Sequence, residues 1–138
     1  MDDIELPFNN DIPPAIPDRD DYTVMFDRAE QANYRRRLKL YLWFQMITEG
    51  EWYGEKFCMC CNVAPKGKWT ASYKYWMAWV LANGSRPKRT DRMSSVVFKN
   101  KVFRARMRTV RKTANQTDRT PAQQYSVVDE LLEVMAGR

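Results

Sequence analysis

All five tryptophans fall in one block, between Trp43 and Trp79. An indole side chain carries too much apolar surface to be left repeatedly in water, so such a block marks where the core must form. The chain has 138 residues, which is material for one domain with a modest core. No apolar run approaches the length that spans a bilayer. Met1–Asp11 also lacks the basic start and apolar middle of a signal peptide. The expectation is a soluble, intracellular protein.

Charge divides the chain into three. Met1–Asn33 carries a net −7, Tyr34–Arg119 a net +15, and Thr120–Arg138 a net −2. A folded block this basic is expected to meet a polyanion, with nucleic acid first and an acidic protein or membrane surface behind it. Residues 1–21 combine acids with four of the seven prolines and few large apolar groups, so they read as a flexible acidic tail. Its charge would let the tail compete intramolecularly for the basic face.

Local periodicity favours helices. Tyr22–Asn33 offers a short one. Tyr34–Thr48 reads as a core helix that is apolar nearly all round in its second half, with Arg35, Arg36, Arg37 and Lys39 crowding its start. Trp52-Tyr53 and Phe57–Cys61 suggest a short hairpin. Thr70 is a plausible N-cap for a helix over Ala71–Ala82, closed by Asn83-Gly84. Thr120-Pro121 with Gln123 resembles a capping box, and Tyr125, Val128, Leu131, Leu132 and Met135 continue with helical spacing.

Ser94–Lys112 is the most informative stretch. Val96, Phe103, Met107 and Val110 share one helical face, while Lys101, Arg104, Arg108 and Arg111 share another. No acid lies between Ser94 and Lys112 to relieve those cations. An amphipathic helix with its arginines in water would look the same, but the unrelieved repulsion favours a helix laid into a DNA major groove.

Catalytic and metal chemistry is not visible. The chain has no histidine, so neither Ser/His/Asp nor Cys/His sets exist, and there is no glycine-rich phosphate loop. Cys58, Cys60 and Cys61 form an odd, tight cluster that suits buried free thiols on a strand better than disulfides or zinc. The expectation is a non-enzyme without cofactor, metal or small-molecule substrate.

The central block, Arg37 to Val110, resembles the DNA-binding domain of the interferon regulatory factors, which are tryptophan-cluster winged-helix proteins. The similarity lies in Tyr41-Leu42 with Trp43, then Trp52 and Phe57–Cys61, then Lys68-Trp69 and Ala78-Trp79. It ends in Phe98-Lys99 with Phe103-Arg104 and Met107, with one residue inserted. It implies that Arg104 reads a guanine edge, that Ala105 is a small base-contacting residue, and that Arg108 stands where the family has asparagine. Lys66, Lys68, Arg86, Lys88 and Arg89 would contact phosphates from two loops. Lys68-Trp69-Thr70 also resembles the opening of a Myb-like repeat.

Together these readings predict a mainly α chain, with α+β as an option. Its parts would be the tail over 1–21, a winged-helix-like three-helix domain with a short hairpin over 22–119, and a C-terminal helix over 120–138. The expected function is a transcription-regulator-like DNA-binding module, nuclear and of divergent or viral type if the resemblance holds. Its contacts would be Lys101, Arg104, Ala105, Arg108, Arg111 and Lys112, with duplex DNA as partner. The alternative is an assembly or nucleic-acid-coating module without sequence readout, able to form homo-oligomers.

Overall fold

The computed structural model describes residues 12–34, 36–112 and 116–137. Five antiparallel strands form one sheet: β1 (Tyr22–Tyr34), β2 (Arg37–Met46), β3 (Lys56–Asn62), β4 (Val102–Val110) and β5 (Tyr125–Ala136). Their order in space is β3-β2-β1-β4-β5. A single α-helix among the described residues, α1 (Lys74–Asn83), connects β3 to β4. The two edge strands, β3 and β5, curl towards each other, and α1 packs against both of them. The result is an open barrel whose seam is covered by the helix.

The mainly α expectation, with its winged-helix-like three-helix core, is therefore corrected. Tyr22–Asn33 and most of Tyr34–Thr48 are the β1–β2 hairpin. Ser94–Lys112 is a short 3-10 turn, Ser95–Phe98, followed by β4. The expected C-terminal helix is β5. Phe57–Cys61 is a strand as expected, but it pairs with β2, while Trp52-Tyr53 lies in the connecting turn.

Each misreading has a physical cause. β2 looks apolar all round because both of its faces are covered. Leu40, Leu42, Phe44 and Met46 point into the barrel, while Tyr41 and Trp43 form a separate buried cluster with Cys58 on the other side. A strand closed on both faces loses the alternation that normally identifies it. In β4, Phe103 with Met107 and Arg104 with Arg108 are spaced by four, which suits a helix or two strand repeats equally. Ala105 inside and Arg106 outside settle the period at two.

In β5 the signal was misleading for another reason. Val128, Leu131 and Val134 pair with Met107, Ala105 and Phe103, so steps of three on β5 match steps of two on β4. Register shifts along the ladder absorb the extra residues, and bulges of this kind turn a strand's apolar period from two to three. Spacing of three is also what an α-helix shows. The capping signal at Thr120 was locally correct, since Thr120 N–H donates to Gln123 Oε1 at 3.4 Å, but the helix lasts one turn.

α1 confirms the expected helix with a later start. It ends where the sequence placed its stop: Gly84 has φ +82, and its N–H donates to Val80 O at 2.9 Å. Tyr75, Ala78, Trp79 and Ala82 turn into the core, which also holds a ring cluster. Phe98 lies 5.5 Å from Phe26 and 6.2 Å from Phe103, and Phe44 lies 5.8 Å from Phe26. Such contacts each contribute about 0.5–1.5 kcal/mol beyond area burial.

β1 pairs with β4 only over Tyr22–Met25, after which a bulge between Phe26 and Arg28 accompanies its departure. That leaves the Arg106–Val110 part of β4 without a strand on that side. Residues 12–21, the second half of the expected tail, supply partners there. Met107 N–H donates to Arg19 O at 2.8 Å, and Thr109 N–H and Oγ1 donate to Asp18 Oδ1 at 3.0 and 2.8 Å. Ile16 is buried, with its N–H donating to Ser126 Oγ at 2.8 Å. The first half of the expected tail, residues 1–11, lies outside the described residues, as does Arg35.

Candidate nucleic-acid interface

The residues expected to read bases do not form a recognition surface. Ala105 is fully buried inside the barrel and faces Leu131, so it has no access to a base edge. Arg104, Arg106 and Arg108 do project outwards from β4, but β5 sets acids directly against them. Arg104 Nε reaches Glu133 at 2.9 Å, Arg106 reaches Glu130 at 2.6 Å, and Arg108 reaches Asp129 at 3.2 Å. Arg104 also donates to Asp20 O at 2.9 Å.

The flanking cations are engaged as well. Arg111 pairs with Asp18 at 3.2 Å and Lys112 with Asp118 at 2.7 Å. Lys101 Nζ donates to Ala82 O at 2.6 Å, where a cation satisfies a carbonyl in the last turn of α1. The repulsion inferred from the local sequence is thus relieved by acids at least nine residues away from the 94–112 stretch or brought by another strand. Half-exposed pairs of this kind add little stability each, but they leave no open cationic stripe for phosphates.

The expected phosphate contacts behave differently. Lys66 and Lys68 lie in the β3–α1 loop, and Arg86, Lys88 and Arg89 in the α1–β4 loop, all of them exposed. The loops touch: a Cβ added to Gly67 (φ +70) would stand 3.6 Å from Asp91 Cα. Arg92, which the sequence reading did not single out, joins the group. Arg86, Lys88, Arg89 and Arg92 line a groove of about 310 Å³ together with Trp79, Asn83 and Ser85.

Six cations therefore stand against one acid, Asp91. Arg89 grips it in a two-point pair at 3.0 and 2.7 Å, which holds the Asp91 carboxyl below the usual carboxylate range. Lys66, Lys68, Arg86, Lys88 and Arg92 have no acid within 4 Å among the described residues. Trp79 forms one wall of the groove, oriented by an Nε1–H donation to Ser94 O at 3.0 Å. Arg36 and Arg37 at the β1–β2 turn and Lys99 before β4 are also exposed and without an acid.

A second surface lies on the outer side of β1–β2–β3. Trp43 faces Arg28 on β1 and Cys58 on β3, and Tyr41 faces Glu30 and Cys60. The Arg28 guanidinium lies over the Trp43 ring, 5.0 Å from its centroid. Cys58 and Cys61 are buried free thiols, as the sequence suggested, and burial pushes the Cys61 thiol up to about 12. Among the described residues no group of three or more Cys, Asp or Glu side chains is placed to hold a metal ion.

Comparison with protein-family profiles, with curated proteins and with solved structures returned no match for this chain.

Proposed function

We propose that the chain is a binding module that grips nucleic acid by its phosphates, single strands foremost and without base-specific readout, through the two loops flanking α1. The observation that carries this reading is selective neutralisation. The fold pairs the cations of β4 with acids, yet gathers Lys66, Lys68, Arg86, Lys88, Arg89 and Arg92 around a groove with one acid among them. A protein without a polyanionic partner has no evident use for such a concentration of like charge.

The topology adds support by analogy. Three antiparallel strands, a helix, and two further strands returning beside the first make the element order of the five-stranded oligonucleotide- and oligosaccharide-binding barrel. Barrels of that kind commonly track single strands with basic grooves and aromatic side chains. A shared topology argues for a mode of binding and not for a particular ligand. Single-strand binding also suits a chain whose one described helix carries Lys74 as its sole cation.

The test is a titration of labelled single strand, duplex and RNA of equal length across a salt series. The reading expects single strands to bind more tightly than duplex, with little dependence on sequence. Charge reversal at Arg86, Lys88 and Arg92 should abolish binding, whereas reversal at Arg106 should not. Equal losses from both sites, or a preference for one duplex sequence, would overturn it.

A further inference from the structure

We infer that residues 1–11 of this chain dock in extended form on the outer face of β1–β2–β3, over Tyr41 and Trp43. These two side chains point away from the barrel interior, yet they are 0% and 2% exposed. An outward-facing aromatic pair on a three-stranded surface is closed to solvent only if something lies across it. Arg28, Ala32, Cys58 and Cys60 border the pair within the sheet. Trp43 Nε1 is buried without a hydrogen-bond partner, a donor that an adjacent backbone carbonyl would satisfy.

The described chain begins at the edge of this face. Ile12 and Pro13 line one groove with Trp43, Arg28 and Lys56, and Pro13 is buried. From the Trp43–Cys58 pair to the Lys39–Asn62 pair is four residues of strand, roughly 14 Å at strand rise. Eleven extended residues reach up to about 36 Å, so the segment is long enough to cross it.

Pattern and charge fit the same occupant. Ile4, Leu6 and Phe8 alternate with polar residues or proline, so an extended segment would turn all three to one side. Asp2, Asp3, Glu5 and Asp11 supply four acids. The face and its β1–β2 turn carry Arg28, Lys39, Lys56, Arg36 and Arg37 against Asp27 and Glu30. Asp27 already holds Arg28 at 2.7 Å and Lys56 at 3.2 Å, and Arg28 meets Glu30 at 3.2 Å. The surplus is therefore Lys39 and the two turn arginines. This docking does not depend on the nucleic-acid reading, but it means that a strand could stack on Tyr41 and Trp43 only by displacing the chain's own N-terminus.

The experiment uses the full chain with fluorine-labelled tryptophan, the Trp43 resonance being assigned by Trp43→Phe. A soluble paramagnetic quencher reports exposure, and the Trp79 resonance reports that the core is intact. In the unchanged chain Trp43 should resist the quencher at every protein concentration. In a variant with Ile4→Ser, Leu6→Ser and Phe8→Ser together it should lose that protection while Trp79 keeps its own. Removal of residues 1–11 should do the same. Protection of Trp43 that survives both changes would overturn the inference. So would protection that vanishes on dilution of the unchanged chain, because a second copy would then be the cover.

Discussion

Replacing Arg86 and Arg92 together by alanine tests the loop cluster most directly. Both side chains are exposed and have no acid within 4 Å among the described residues, so the change should leave the fold untouched. The cluster holds six cations and Asp91, a net of five. Counterion release gives a slope of about −0.7 per neutralised phosphate on single strands, hence about −3.5 for the cluster and about −2.1 for the double variant. Over a fourfold rise in salt, from about 50 to about 200 mM, affinity should fall about 130-fold in the parent and only about 18-fold in the variant. Fluorescence anisotropy of a labelled homopolymeric strand measures both slopes, and circular dichroism checks the fold. An unchanged slope in the variant, or an equal change after Arg106→Ala, would refute the reasoning, because Arg106 already meets Glu130 at 2.6 Å.

Three further outcomes probe the scaffold. Burial raises the Asp18 carboxyl, but hydrogen bonds from Thr109 and Arg111 outweigh it, so its value is lowered on folding. A lowered carboxylate contributes stability above its unfolded value of about 3.9 and loses it as pH falls through the folded value. Asp18→Ala should therefore cost about 1–3 kcal/mol in urea melts at neutral pH, where it strands Thr109 N–H, and less near pH 3; a constant gap across pH would contradict this. Phe103→Ala should cost about 3–5 kcal/mol in the same assay, since the ring is fully buried and lies 6.1 Å from Phe44 and 6.2 Å from Phe98. Cys58 and Cys61 are both pushed up by burial, so mass spectrometry should find them unalkylated by iodoacetamide at neutral pH until the chain is unfolded. Labelling of either in the native protein would show that β3 opens.

Much could be read from the sequence where one residue's chemistry acts on its immediate neighbours. Gly84 stops α1 because its left-handed backbone suits glycine, and that requirement is visible in Asn83-Gly84 itself. The thiols of Phe57–Cys61 sit on a strand, where apolar residues flank them. The cations of the two loops around α1 lie where proline, glycine and charge marked loops. The architecture was not readable in the same way. A spacing of four in β4 belongs equally to a helix and to a strand, and bulges gave β5 the helical interval of three.

The basic character of Ser94–Lys112 and of the loops around α1 was determined by the sequence alone, because charge is a property of the residues present. Which of those cations stay open to a partner was decided only by tertiary structure. Coulombic relief depends on distance in space, and the acids that answer Arg104, Arg106 and Arg108 arrive from β5, more than twenty residues along the chain. No comparable strand lies beside Lys66, Lys68, Arg86, Lys88 and Arg92, so the fold leaves them to face whatever anion approaches.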